Sequence, residues 1–191
     1  MTKPRGLRVI AGSARGRKLV TPAGDAVRPT KDIVREAVFS ALDARGVIVD
    51  AIVLDLFAGS GALAIEALSR GAARAVLVER NRAALDAITT NLAALGFADR
   101  ARVHVADAGR FAAGPAPREA PFDLVFADPP YDTDDGAPTA LLSALEAPGW
   151  LAAGAIVAVE RPVRHPVADP EGWRTGWERA FGDTLMSFHW R

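Results

Sequence analysis

The chain has 191 residues, 50% apolar and 24% charged, which suits one well-cored domain with a small appendage and excludes a disordered chain. It has no cysteine, so disulfides, thiolate catalysis and cysteine zinc sites are excluded, and no apolar run approaches membrane-spanning length. The formal net charge of zero hides an asymmetry: residues 1–35 carry nine basic side chains against Asp25 and Asp32, a net of +7, which leaves −7 on the remainder. A basic segment on an acidic body suggests an anion-binding face, with nucleic acid the usual partner. The N-terminal "MTKPRGLRVI" lacks the apolar core of a signal peptide. The expectation is therefore a soluble, cytoplasmic protein without a membrane partner; a monomer is the default, since the sequence does not encode the oligomeric state.

In chain order, "LRVIAG" (7–12) and "GRKLVTP" (16–22) flank the turn "SARG" and read as a basic β-hairpin. Thr30 is placed to cap a helix over about residues 31–43, whose Val34, Val38 and Leu42 share a face that excludes Arg35. Residues 1–45 form an N-terminal extension on this reading. From residue 51 strands and helices alternate. "AIVLDLF" (51–57) is a buried strand, followed by Gly59, Gly61 and a helix to about Arg70. "AVLVE" (75–79) is a second strand, and a helix over 82–95 starts at the Asn81 cap and stops at Gly96. Further strands fall at 101–105, 122–127 and 154–160, with a helix near 136–146 and a surface loop at 112–121. "GWRTGWERAF" and "DTLMSFHWR" close the chain as an antiparallel hairpin. Such alternation predicts an α/β fold with a doubly wound, mostly parallel sheet in the order 3-2-1-4-5 over residues 46–191.

"LDLFAGSGALAIEA" puts a glycine-rich turn between the first strand and its helix, and Glu79 ends the next strand twenty residues after Gly59. This pattern binds nucleoside-type cofactors, the glycines allowing close approach and the acid meeting a ribose hydroxyl. Asp55 would oppose a pyrophosphate at this loop and favours a cationic head such as that of S-adenosylmethionine. Asp107 reads equally as an adenine contact and as a helix N-cap. The second chemical signal is "DPPY", Asp128 to Tyr131, which follows the fourth strand directly. In the predicted strand order it faces the glycine loop at the switch point. Asp128 accepts N–H bonds from an exocyclic amine. Pro129 and Pro130 remove backbone donors and stiffen the turn, and Tyr131 offers a ring for stacking. The two loops together point to methyl transfer onto an amino group of a planar base.

"DPPY" after "DLFAGSGA" resembles the class I S-adenosylmethionine-dependent amino-methyltransferases. With "RVIAGSARGRKL", "RPTKDIVREAVFSAL" and "GSGALAIEALSRGA" the whole chain resembles the RsmD family, which methylates guanine N2 in small-subunit (16S) ribosomal RNA. The resemblance implies a Rossmann-like fold and a substrate of small-subunit ribosomal RNA or the assembling subunit. It implies that Asp55, Phe57, Ala58, Gly59, Ser60 and Gly61 form the cofactor loop. Glu79 then meets the ribose, and Arg80, Asp107 and Ala108 lie about the adenine. Asp128, Pro129, Pro130 and Tyr131 carry catalysis on a flipped base. Arg28, Thr30 and Arg35 line the mouth, and Arg15, Arg17 and Lys18 grip RNA phosphate. No metal is implied. The competing readings are a DNA or RNA adenine-N6 methyltransferase, a protein-glutamine methyltransferase, a non-catalytic RNA-binding assembly factor and a nicotinamide-dependent dehydrogenase. His104, His165 and His189 are too scattered for a metal site, and the four tryptophans are expected to be packing residues.

Overall fold

Alternating apolar β-branched runs and alanine-rich segments produce seven strands and five helices in the computed structural model, which describes residues 6–22, 29–129, 136–164 and 169–191. Helix α1 spans Pro29–Asp43, strand β1 Ile52–Leu56 and helix α2 Ala62–Ser69. Strand β2 (Arg74–Glu79), helix α3 (Arg82–Leu95), strand β3 (Ala101–Val105) and a short helix α4 (Ala108–Ala112) follow. Then come β4 (Phe122–Ala127), α5 (Ala137–Ala144), β5 (Leu151–Pro162), β6 (Arg174–Phe181) and β7 (Thr184–Trp190). All seven strands form one sheet, ordered β3-β2-β1-β4-β5-β7-β6. The first five are parallel, and β7 joins β5 and β6 antiparallel, as expected for the closing hairpin. This is a Rossmann-like α/β sandwich whose strand order reverses between β1 and β4.

Both faces of the sheet are covered, so its strands read as apolar runs on either side. Val53, Phe126, Ala158 and Phe188 face α1, α2 and α3 in one cluster, while Leu54, Val125, Val157 and Trp150 face α4 and α5 in the other. Trp150 and Trp173 are core residues, and Trp177 stacks on Phe188 with ring centroids 4.5 Å apart. Helix α3 starts where Asn81 accepts the Ala84 N–H and ends at the left-handed Gly96, both as predicted. No helix among the described residues is long and apolar enough to cross a membrane.

Three local readings change. Helix α1 begins at Pro29, so Thr30 lies in its first turn and is not the N-cap; proline suits a first helical position because its ring fixes φ there. The segment read as the start of a surface loop is preceded by the unpredicted α4, too short for a periodic signal, which Asp107 caps by accepting the Arg110 N–H. The N-terminal hairpin carries a single antiparallel bridge, Arg8 to Lys18, with few ladder bonds of its own.

What holds that hairpin is α2. The fully buried Glu66 carboxylate accepts the N–H groups of Ile10 (2.7 Å) and Ala11 (2.9 Å) and the Arg70 Nε (2.8 Å). Ser69 accepts the Ala14 N–H at 2.9 Å and donates to the Ala11 carbonyl at 2.5 Å. Gly12 packs so closely that a Cβ there would lie 1.9 Å from the Ser69 carbonyl oxygen, and its φ is +80°. Val9, Ala14 and Leu19 enter the same apolar cluster as β1. A buried carboxylate that loses its donors is costly, and so is a donor that loses its carboxylate. Replacing Glu66 with Ala should therefore destabilise the protein by about 3 kcal/mol in urea unfolding and expose residues 7–19 to protease.

Candidate active site

The carboxyl ends of the parallel strands gather the acidic residues that the sequence singled out. Asp55 lies within β1, Glu79 ends β2, and Asp128 follows β4, which pairs with β1 through Asp55 and Phe126. Between β1 and α2 the chain makes a turn of unusual geometry. Phe57 has φ +87°, rare for a residue with a side chain, and Gly61 enters α2 at φ +78°. A Cβ on Gly61 would also press on Leu77 at 3.1 Å, so the position accepts only glycine. Above Gly59 there is open space, the nearest atom to a built Cβ being the Phe57 carbonyl oxygen at 4.0 Å.

The turn is held by side chains on three elements. Glu79 accepts the N–H of Gly59 through one oxygen at 2.9 Å, and those of Arg80 and Asn81 through the other at 2.7 Å each. One carboxylate thus ties the β1–α2 turn to the β2–α3 turn. Asp55, buried, accepts the Ala64 N–H in the first turn of α2 at 3.1 Å. Asn91 on α3, also buried, donates to the carbonyls of Ser60 (3.0 Å) and Val20 (2.9 Å) and accepts the Val20 N–H (2.7 Å). The glycine turn and the N-terminal hairpin therefore share a single amide side chain. Asn91 escaped the sequence reading because a lone polar residue on an apolar helical face announces nothing about its partners.

The sequence-predicted residues separate into groups. Phe57, Ala58, Gly59, Ser60 and Gly61 form the turn, and Asp55 and Glu79 flank it. Asp107 caps α4 and also accepts from the Arg80 guanidinium at 2.9 Å, which brings Arg80, Asp107 and Ala108 together at one rim. Pro129 is buried after β4, while Pro130, Tyr131 and Arg28 lie outside the described residues. Arg15, Arg17 and Lys18 are exposed, and Arg17 donates to the Ala94 carbonyl near the end of α3 at 2.7 Å.

Arg35, expected off the Val34, Val38 and Leu42 face of α1 and at the mouth of the site, is only 5% exposed. It donates to the Arg8 carbonyl at 2.5 Å and to Asp32 at 3.1 Å, because the hairpin covers this side of α1. Burial holds its pKa below the usual arginine value, against the opposing charges of Glu66 and Asp32.

A serine, a histidine and an aspartate also come together at the far edge of the sheet, where His189 contacts Ser187 at 2.8 Å and Asp169 at 2.6 Å. Asp169 reaches the surface, but Ser187 and His189 are completely buried, so the serine is closed to a substrate.

A family model described as "Conserved hypothetical protein 95" matches residues 7–190. The ribosomal RNA small subunit methyltransferase D of Escherichia coli K12 is 41% identical over 186 residues, 97% of this chain and 90% of that protein. The protein of the same name from Haemophilus influenzae is 33% identical over 92% of this chain and 89% of its own length. The solved yhhF protein of Escherichia coli superposes with a TM-score of 0.84 at 42% identity over 96% of each chain. The chain belongs to the RsmD family of methyltransferases. In this RsmD-family member Asp55, Glu79 and Asp128 gather at the carboxyl ends of three neighbouring parallel strands.

Asp55 is buried among these acids. Burial raises its pKa to about 7, the Ala64 N–H opposes the rise, and the charges of Asp128 and Glu79 add to it. An acid whose folded pKa lies above its unfolded one binds its proton more tightly in the native state. Its contribution to stability is present below the unfolded pKa and falls away as pH rises towards the folded value. Asn at position 55 keeps an acceptor for Ala64 without the charge. Asp55→Asn should therefore unfold later than wild type at pH 8, by up to about 4 kcal/mol, with the difference vanishing towards pH 4.

Proposed function

We propose that this protein transfers a methyl group from S-adenosylmethionine to the exocyclic N2 amine of a guanine in small-subunit ribosomal RNA. The observation that supports the reading is the pairing of β1 with β4 through Asp55 and Phe126, since Asp128 follows two residues later, next to the strand that leads into the Asp55–Gly61 turn. Relatives named as small-subunit ribosomal RNA methyltransferases over nearly the full chain support the substrate class.

The residues fit the cofactor by the chemistry of their donor set. Asp55 supplies a carboxylate suited to an ammonium group, Glu79 keeps lone-pair capacity for a ribose hydroxyl beyond its three amide bonds, and the space above Gly59 admits a ligand against the backbone. Asp107 and Ala108 offer an acceptor and a backbone edge for adenine, with Arg80 beside them. When bound, S-adenosylmethionine supplies a methyl group on a positively charged sulfur.

Asp128 does the work on the acceptor. A guanine amine shares its lone pair with the ring and is a weak nucleophile. A carboxylate accepting its N–H bonds holds the nitrogen in line and favours a pyramidal form whose lone pair is available. Asp128 would hold that nitrogen in line with the methyl group, which bound S-adenosylmethionine would supply while its sulfur keeps the carbon–sulfur electron pair. The surplus proton on nitrogen passes to the Asp128 carboxylate or through it to water. The proline pair Pro129 and Pro130 keeps N–H donors away from this acceptor, and Tyr131 stacks on the extruded base. Residues 1–45 act as the RNA-binding extension, with Arg15, Arg17 and Lys18 against phosphates and Arg28 and Thr30 at the mouth. Arg35 acts behind them by fixing the hairpin to α1. The protein works as a cytoplasmic monomer on the ribosomal RNA or the assembling subunit.

Asp128→Ala should lower kcat on unmethylated small-subunit RNA by at least about 100-fold while cofactor affinity in calorimetry stays nearly constant. Wild-type turnover in that variant would sink the mechanism. The same assay on DNA separates this reading from an adenine-N6 methyltransferase, since the proposal requires transfer to RNA guanine only. Removing the three hairpin charges together should weaken RNA binding and reduce the slope of log K against log salt by about 2–3. The cofactor affinity should not move.

A further inference from the structure

We propose that Glu160 is the residue that selects guanine, by accepting the N1–H of the base whose amine Asp128 holds. The inference rests on the guanine-amine reading above and deepens it. It begins with strand register. Strand β4 ends at Ala127, which pairs with Val159, whereas β5 runs on to Pro162. Glu160 therefore stands beside Asp128 on the neighbouring strand.

Its face follows from the alternation of side chains along a strand. Val157 and Val159 belong to the cluster under α4 and α5, and Ala158 to the cluster under α1, α2 and α3. Glu160 falls on the second side, where its cross-strand neighbour Met186 also packs. Asp55 occupies that same face of β1, two residues after Val53. The half-buried Glu160 thus completes a row of acids, Glu79, Asp55, Asp128 and Glu160, along β2, β1, β4 and β5.

The row has an order that assigns roles. Glu79 and Asp55 flank the glycine turn, and Glu160 lies on the opposite side of Asp128 from them. A ligand at the turn is therefore separated from Glu160 by the amine-holding carboxylate, and only the acceptor base extends that far. Guanine presents two neighbouring donors on its pairing edge, N1–H and the N2 amine. Adjacent carboxylates on adjacent strands match adjacent donors on one base. Adenine and cytosine carry a lone pair on the ring nitrogen next to their amines. Against Glu160 that lone pair would face the carboxylate's own lone pairs, acceptor against acceptor, a mismatch that discriminates strongly.

The test compares small-subunit ribosomal RNA carrying guanine with the same RNA carrying 2-aminopurine at the modified position. 2-Aminopurine keeps the 2-amino group but has a bare ring nitrogen at N1. The wild-type protein should prefer guanine in kcat/KM on the order of 10- to 100-fold. Glu160→Gln presents an amide N–H to that bare nitrogen, so the preference should collapse towards unity while the S-adenosylmethionine Kd from calorimetry is unchanged. Glu160→Asp, which keeps the charge, should retain the preference with a lower kcat/KM. Equal use of both bases by wild type, or an unaltered preference in Glu160→Gln, overturns the proposal. Failure of wild type to methylate guanine at all would instead overturn the function on which it rests.

Discussion

The carboxylate of Glu79 is the constraint on which the site depends. Three backbone N–H groups from two separate turns converge on it, so the glycine turn after β1 cannot move without the turn after β2. A loop rich in glycine loses more entropy on ordering than other sequences do. Here charge-assisted bonds to a fixed strand end offset that loss and leave the surface above Gly59 open. Burial raises the pKa of Asp55 beside this turn, and the charges of Asp128 and Glu79 add to the rise.

A second theme is the use of buried polar side chains as clasps. Glu66, Ser69, Asn91 and Arg35 are all buried, and each reaches backbone groups of the N-terminal segment. That segment has few ladder bonds of its own, and its basic side chains need solvent. Docking its backbone on α2 and α3 lets the exposed Arg15 and Lys18 stay free of the core while their carrier is rigid. The polar contacts also give the docking a register that apolar packing alone does not supply. Asn91 is the meeting point, since it holds the hairpin and the glycine turn with one amide group.

Much of the fold was legible because its signals are local. The Asn81 cap, the Gly96 stop, the apolar runs of β1, β2 and β4 and the closing hairpin are each written within a few residues, and each was found. The strand order 3-2-1-4-5 followed from alternation and the rules of crossover connection. The failures share a cause as well. Helix α1 starts one residue before Thr30, at a proline, α4 is too short for a period to show, and the burial of Arg35 comes from residues 7–19. Nothing near position 35 records that the hairpin will close over it.

By itself the sequence determined which segments are strands, which are helices and where the chain must turn, because hydrophobic period, caps and glycines act over a few residues. It also marked Asp55, Glu79 and Asp128 as acids at strand ends. Tertiary structure alone decided what these groups touch. The bond between Val20 and Asn91 spans 71 residues, and that between Ile10 and Glu66 spans 56. Such contacts depend on how the sheet brings distant elements together, and a buried polar group carries no local sign of the partner that will satisfy it.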